Sequence, residues 1–165
     1  MKKIEPKLTI EIIPSKSWYN NVRSNVSEKE WDIIRKKCYK EAGYKCEICG
    51  DNGLNQGQQH RVECHEIWNY DNKTKIQKLV GFISLCPLCH KVKHFGLAQI
   101  SGDDEIAFHQ LMKVNNMTEE EAYEYLNEDN GRTYRERFEW KLDISYVKEY
   151  IDDSSTFFNT IDSLF

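Results

Sequence analysis

Two cysteine pairs limit what this chain can fold into. Cys46-Glu47-Ile48-Cys49-Gly50 and Cys86-Pro87-Leu88-Cys89 are both C-x-x-C, and 36 residues, 50–85, lie between them. A two-residue gap curls the backbone into a knuckle that offers two sulfurs to one ion, at about 2.3 Å each for zinc. Gly50 suits the exit from the first knuckle, since a residue without Cβ takes positive φ freely. The spacing predicts a four-thiolate structural Zn²⁺ site made of Cys46, Cys49, Cys86 and Cys89. Whatever else forms, the two knuckles must meet.

Paired C-x-x-C motifs without a secretory signal favour metal binding in a reducing compartment over disulfides. Lys2 and Lys3 are followed by Glu5, Pro6, Lys7 and Glu11, which leave no apolar stretch for a signal peptide. No apolar run nears the roughly 18 residues that span a bilayer. The expectation is a cytoplasmic chain with no membrane partner. At 165 residues it is long enough for one domain, expected as three parts: 1–43, 44–98 and 99–165. Charge divides them. Residues 1–100 carry 17 Lys or Arg against 11 Asp or Glu, and residues 101–165 carry 6 against 16. The basic half holds the cysteine motifs, as contact with phosphates requires. The acidic half reads as solvated helix surface, or as a face for a basic partner.

Along the chain, Leu8, Ile10 and Ile12 alternate with polar neighbours up to Pro14, which predicts an edge strand over 7–13. Residues 15–27 read as a loop in which Trp18 and Tyr19 pin an extended arm to the core. Exposed, they would instead stack on bases beside Arg23. Ser27 and Glu30 form a capping box that starts a helix ending near Ala42 and Gly43. Its apolar stripe is Trp31, Ile34 and Cys38; Arg35, Lys36, Lys37 and Lys40 make a basic opposite side. Residues 60–64 and 79–85 are expected as hairpin arms, and Cys89 to Gly96 as a helix. Residues 103–115 read as an amphipathic helix with Ile106, Ala107, Leu111 and Val114 inward and His109 outside. Thr118 and Glu121 cap a helix burying Ala122, Tyr125 and Leu126. Gly131 breaks it, a short helix is expected over 144–151, and an acidic, apolar tail ends the chain. The class is α+β.

Three histidines carry the chemical question. His90 and His94 are four apart on the expected helix, so their rings share one face and can chelate a divalent ion. His65 follows the first hairpin arm, which the shared zinc would hold against that helix.

Glu63-Cys64-His65, Leu85-Cys86-Pro87-Leu88-Cys89-His90 and His94, set between the knuckles, resemble the zinc-stapled HNH endonucleases over about residues 44–96. His65-Glu66-Ile67-Trp68-Asn69-Tyr70-Asp71 and His90-Lys91-Val92-Lys93-His94-Phe95-Gly96 are similar to one bacterial branch of that family. The resemblance implies a treble-clef ββα-metal core that hydrolyses phosphodiesters in DNA, or less readily RNA. His65 would be the general base, while His90 and His94 would hold a catalytic Mg²⁺, Mn²⁺ or Zn²⁺. Glu63 or Asp71 would orient His65, and Arg23, Arg61, Lys91 and Lys93 would meet phosphates. One such centre cuts one strand, so double-strand cleavage would need a homodimer. Two positions depart from the pattern. Cys64 stands where Asp or His usually ligates the metal, and a thiolate there would favour Zn²⁺. Gly81 stands where an Asn braces the base-bearing loop, leaving Asn69 or Gln77 as substitutes. The alternative is a non-catalytic treble-clef module that binds nucleic acid or a protein.

Overall fold

The capping box at Ser27 forms, and with it helix α1 over Glu28–Glu41: Ser27 Oγ accepts from Glu30 N at 3.2 Å, and Glu30 returns to Ser27 N at 2.7 Å. Ala42 is its C-cap and Gly43 follows with φ of 61°. The coordinates are a computed structural model that describes residues 5–152. The acidic, apolar tail lies outside the described residues beyond 152.

The hairpin is longer than its expected arms. Strand β1 is Glu63–Asp71 and strand β2 is Ile76–Leu85, antiparallel from Glu63 opposite Leu85 to Asp71 opposite Ile76. Asp71 closes the turn, its Oδ1 accepting from Lys73 N at 2.8 Å. The register shifts after Ile67, so Gly81 pairs with Ile67 and Leu79 with Trp68, and Val80 is the extra residue of a bulge. A third strand, β3 over Lys141–Asp143, joins β2 in parallel, giving the order β1-β2-β3.

Cys86 caps helix α2, Pro87–Lys93, its sulfur accepting from Cys89 N at 3.4 Å. Pro87 costs nothing in that first turn, where an N–H has no partner to lose. His94 then takes a non-helical conformation (φ −101°, ψ 48°), and α3, Phe95–Ser101, starts in a new direction. Helix α5, Glu119–Asn127, follows its expected capping box at Thr118 and Glu121, whereas α4, Asp104–Asn115, starts after Asp103 without a side-chain cap hydrogen bond. A short α6 spans Arg132–Glu136, and residues 146–152 are helical. On α4 the buried residues are Ala107, Gln110 and Leu111, while Ile106 is exposed, contrary to expectation.

Two apolar clusters sandwich the hairpin. One gathers Leu8, Ile48, Leu85, Val92, Phe95, Ala107 and Leu111 around the knuckles. The other packs Val22, Ile34, Leu79, Val147 and Tyr150 on the side of α1.

Residues 7–13 do not form the expected strand. They run as an extended arm whose backbone is served by side chains and by other elements. Leu8 exchanges two 2.8 Å hydrogen bonds with the Asn115 amide. Ile10 N donates to Tyr125 Oη at 3.0 Å, Glu11 N to Lys93 O at 3.0 Å, and Arg135 to Ile12 O at 2.9 Å. Alternation alone does not distinguish a strand from a clamped extended segment, because both bury every second side chain. Trp18 and Tyr19 also differ from expectation. They are 60% and 85% exposed, and the loop is held instead by buried Pro14, Ser17 and Val22.

Candidate metal centre

The four knuckle sulfurs converge as their spacing requires. Ligand atoms of Cys46, Cys49, Cys86 and Cys89 all lie within 4.8 Å of one another, with Cys49 and Cys86 sulfurs 3.6 Å apart. All are free thiols. Cys49 N points at Cys46 Sγ at 3.5 Å, and Gln110 Nε2 donates to Cys89 Sγ at 3.2 Å from the neighbouring helix α4. Such N–H donors favour thiolate over thiol. Hydrogen bonds from Cys86 and Cys89 hold Cys46 far below the usual thiol range, whereas burial pushes Cys49 up to about 12. The crowded sulfurs accommodate one negative charge and resist a second, a conflict that a dication relieves. This set fits zinc.

A second cluster lies close by. One ring nitrogen each from His65, His90 and His94 come within 4.8 Å of one another. The rings meet edge to face, with centroids 5.3 Å apart for His65 and His90, 4.9 Å for His65 and His94, and 4.7 Å for His90 and His94. Strand β1 supplies the first and the α2 segment the others, so the cysteine knuckles that join hairpin to helix also bring the imidazoles together. Burial, then the neighbouring His90 and His65, lowers His94 to about 4. Burial likewise lowers His65, against the opposing effect of Glu11. The rings of His65 and His94 are therefore neutral near pH 7, the form that binds a metal or accepts a proton.

The carboxylate partners are not the expected ones. Glu63 sits 2.6 Å from His90 Nδ1 and 3.0 Å from His60 Nε2. Asp71 is at the hairpin turn. His65 Nε2 instead faces Glu11 Oε2 at 2.7 Å, from the N-terminal arm. Nothing local in the sequence singles out Glu11, since 54 positions separate it from His65. Gln110 was equally hidden, a polar residue on an otherwise apolar helix face.

The remaining candidate residues divide. Cys64 points to the other face of β1, where it packs in the cluster of Ile34 and Val22, and it is not among the three converging ligands. Contact with Cys38, then burial, pushes its thiol upward, away from thiolate. Neither substitute for the missing Asn reaches the histidines: Gln77 is buried and donates to Asn20 O at 3.0 Å, and Asn69 is exposed. A Cβ on Gly81 would meet only Ile67 Cδ1 at 3.6 Å, so the position has room for a side chain that it lacks. Lys91 is bonded to Asp103 at 2.6 Å and Lys93 to Thr9 at 2.8 Å. Arg61 stacks 6.0 Å above Tyr44. Arg23 is exposed and lines a groove of about 1730 Å³. Lys29, Arg35, Lys36, Lys37 and Lys40 share one wall of it with Glu28, Asp32 and Glu41; Glu63, Cys64 and His90 line the other. His65 opens instead toward a cleft of about 600 Å³ beneath the arm.

Two buried groups give opposing pH dependences. Burial raises Glu66 to about 7 from an ordinary 4.5, despite hydrogen bonds from Val22 and Arg23. The folded state thus binds its proton more tightly than the unfolded chain, and stability falls as pH rises from 4.5 to 7. His94, lowered from 6.5 to about 4, acts in the opposite sense: its contribution is lost as pH falls through that window. Glu66→Gln is expected to make the protein more acid-sensitive than wild type, and His94→Gln less so. Each difference should be on the order of 2–3 kcal/mol across the shared window. Urea unfolding of the three proteins at a series of pH values, without added divalent ion, checks this. Parallel curves would refute it, and zinc release in acid is common to all three.

Comparison with models of protein families found no match, nor did comparison with curated proteins or with solved structures. Geometry and chemistry alone carry the reading of this site. No helix among the described residues is long and apolar enough to cross a membrane.

Proposed function

We propose that the chain is a metal-dependent endonuclease of HNH type, with a treble-clef core stapled by zinc. The observation that carries this reading is the convergence of His65, His90 and His94 within 4.8 Å beside the four-cysteine site. Three converging imidazoles, those of His65 and His94 held neutral by burial, suit a divalent cation next to a proton acceptor. In this reading His90 and His94 hold the ion and Glu63 fixes the His90 ring. A bound divalent ion supplies charge neutralisation at the scissile phosphate and its leaving oxygen. His65 takes a proton from the attacking water. The groove that reaches His90 is lined by Arg23 and the α1 cations, which supports a nucleic-acid backbone as its occupant.

A specific observation favours the second reading, a non-catalytic zinc module. His65 is 5% exposed and opens under the arm, on a different side from the groove of His90. The test is metal content and cleavage measured together, on wild type and on His90→Ala/His94→Ala. The endonuclease reading expects one tight zinc in both, a weaker second ion in wild type alone, and nicking of plasmid DNA only by wild type with added Mn²⁺ or Mg²⁺. One zinc in both proteins, no second ion and no nicking would leave the scaffold module.

A further inference from the structure

We propose that Glu11 is the positioning residue of His65, and that the α4–α6 extension clamps the arm that delivers it. Glu11 Oε2 lies 2.7 Å from His65 Nε2, with both side chains largely withdrawn from water. That buried oxygen has no aligned hydrogen-bond donor among the described residues; the 2.7 Å approach of the His65 ring nitrogen is close but is not a hydrogen bond of good geometry. An ionised carboxylate buried without compensation costs several kcal/mol, so the imidazole N–H is the natural group to face it. The consequence is a defined tautomer. With the hydrogen on Nε2, the lone pair of His65 is on Nδ1, which is then the nitrogen free to bind an ion or accept a proton.

The placement of Glu11 depends on contacts remote from the histidines. Asn115 of α4 grips Leu8 on both of its backbone groups, Tyr125 of α5 takes the Ile10 N–H, and Arg135 of α6 binds Ile12 O. Lys93, one residue before His94, accepts the N–H of Glu11 itself. An extended segment without a strand neighbour has little to hold it in register. Here four elements hold it at successive residues on both sides of Glu11. This assigns a role to the acidic helical half that its charge alone does not suggest: through the arm it fixes the orientation of one imidazole in the basic half of the sequence.

The inference rests on the endonuclease reading only for its effect on turnover. Long-range proton–nitrogen correlation spectra of labelled, zinc-loaded protein near neutral pH report the His65 tautomer without any cleavage assay; His65→Gln assigns its signals. Wild type should show the Nε2–H form. Glu11→Gln, which is nearly isosteric, and Glu11→Ala should each lower the ratio of Nε2–H to Nδ1–H about tenfold, the size of one charge-assisted hydrogen bond. A wild-type proton on Nδ1, or unchanged spectra in Glu11→Gln, overturns the proposal. The Gln variant decides the matter if the Ala variant does not fold. Where wild type nicks DNA, Glu11→Ala should lower kcat about 10- to 100-fold with KM little changed. If wild type does not nick DNA but the tautomer responds to Glu11, the endonuclease reading fails and this one stands.

Discussion

Cys89→Ser is expected to lose zinc and to unfold the chain rather than merely weaken it. Cys89 is fully buried, its sulfur takes the Gln110 amide, and it belongs to the same apolar cluster as Leu8, Leu85, Val92 and Leu111. A metal held by these four sulfurs would sit inside the core, and the free energy of binding it would be folding free energy, on the order of 10 kcal/mol. That is comparable to the whole net stability of about 5–15 kcal/mol for a domain. Serine offers a poorer ligand for zinc, and the position is fully buried. Zinc content per chain and the thermal transition measure the outcome. A Cys89→Ser protein that keeps one zinc and melts with wild type would show that the four-cysteine site is misassigned. Cys38→Ser is the contrasting control, since Cys38 is a buried thiol outside the converging set.

His65→Gln is expected to abolish cleavage while leaving zinc in place. If His65 is the general base, its loss removes about 10²–10⁴-fold in rate. Glutamine keeps a polar N–H that can face Glu11, whereas alanine would strand that carboxylate in a buried position at a cost of about 1–3 kcal/mol or more. The glutamine variant therefore separates chemistry from folding. Nicking at the wild-type rate by a His65→Gln protein with normal zinc and melting would remove His65 from the chemistry. His90, which faces the groove and Glu63, would then be the remaining candidate base.

The residues that act through spacing were legible. The C-x-x-C pairs, the histidines four apart and the two capping boxes are each defined by a few consecutive positions, and the backbone geometry follows from those positions. The hairpin was legible in kind but not in length. Its bulge at Ile67 and its continuation to Asp71 depend on cross-strand pairing that neither strand specifies alone. The arm at 7–13 was misread because its alternation is that of a strand, while its hydrogen bonds go to Asn115, Tyr125 and Arg135, more than a hundred positions away. Cys64 looked like a ligand by its place beside His65. The period of two along β1 turns neighbouring side chains to opposite faces, so adjacency in sequence argues against a shared ligand set here.

The sequence by itself determined that the two knuckles meet, that a helix leaves the second one carrying His90 with His94 at its end, and that acids cluster toward the C-terminus. Each of these is local, enforced by ligand spacing, helical periodicity or composition. Only the tertiary structure decided which carboxylate faces which histidine. A carboxylate's partner is settled by where distant segments pack, and Glu11 reaches His65 because Leu8 and Ile12 bury their side chains on either side of it. Burial of apolar neighbours, which has no preferred direction, places the arm; hydrogen bonds with Asn115, Tyr125, Lys93 and Arg135, which do, then fix its register.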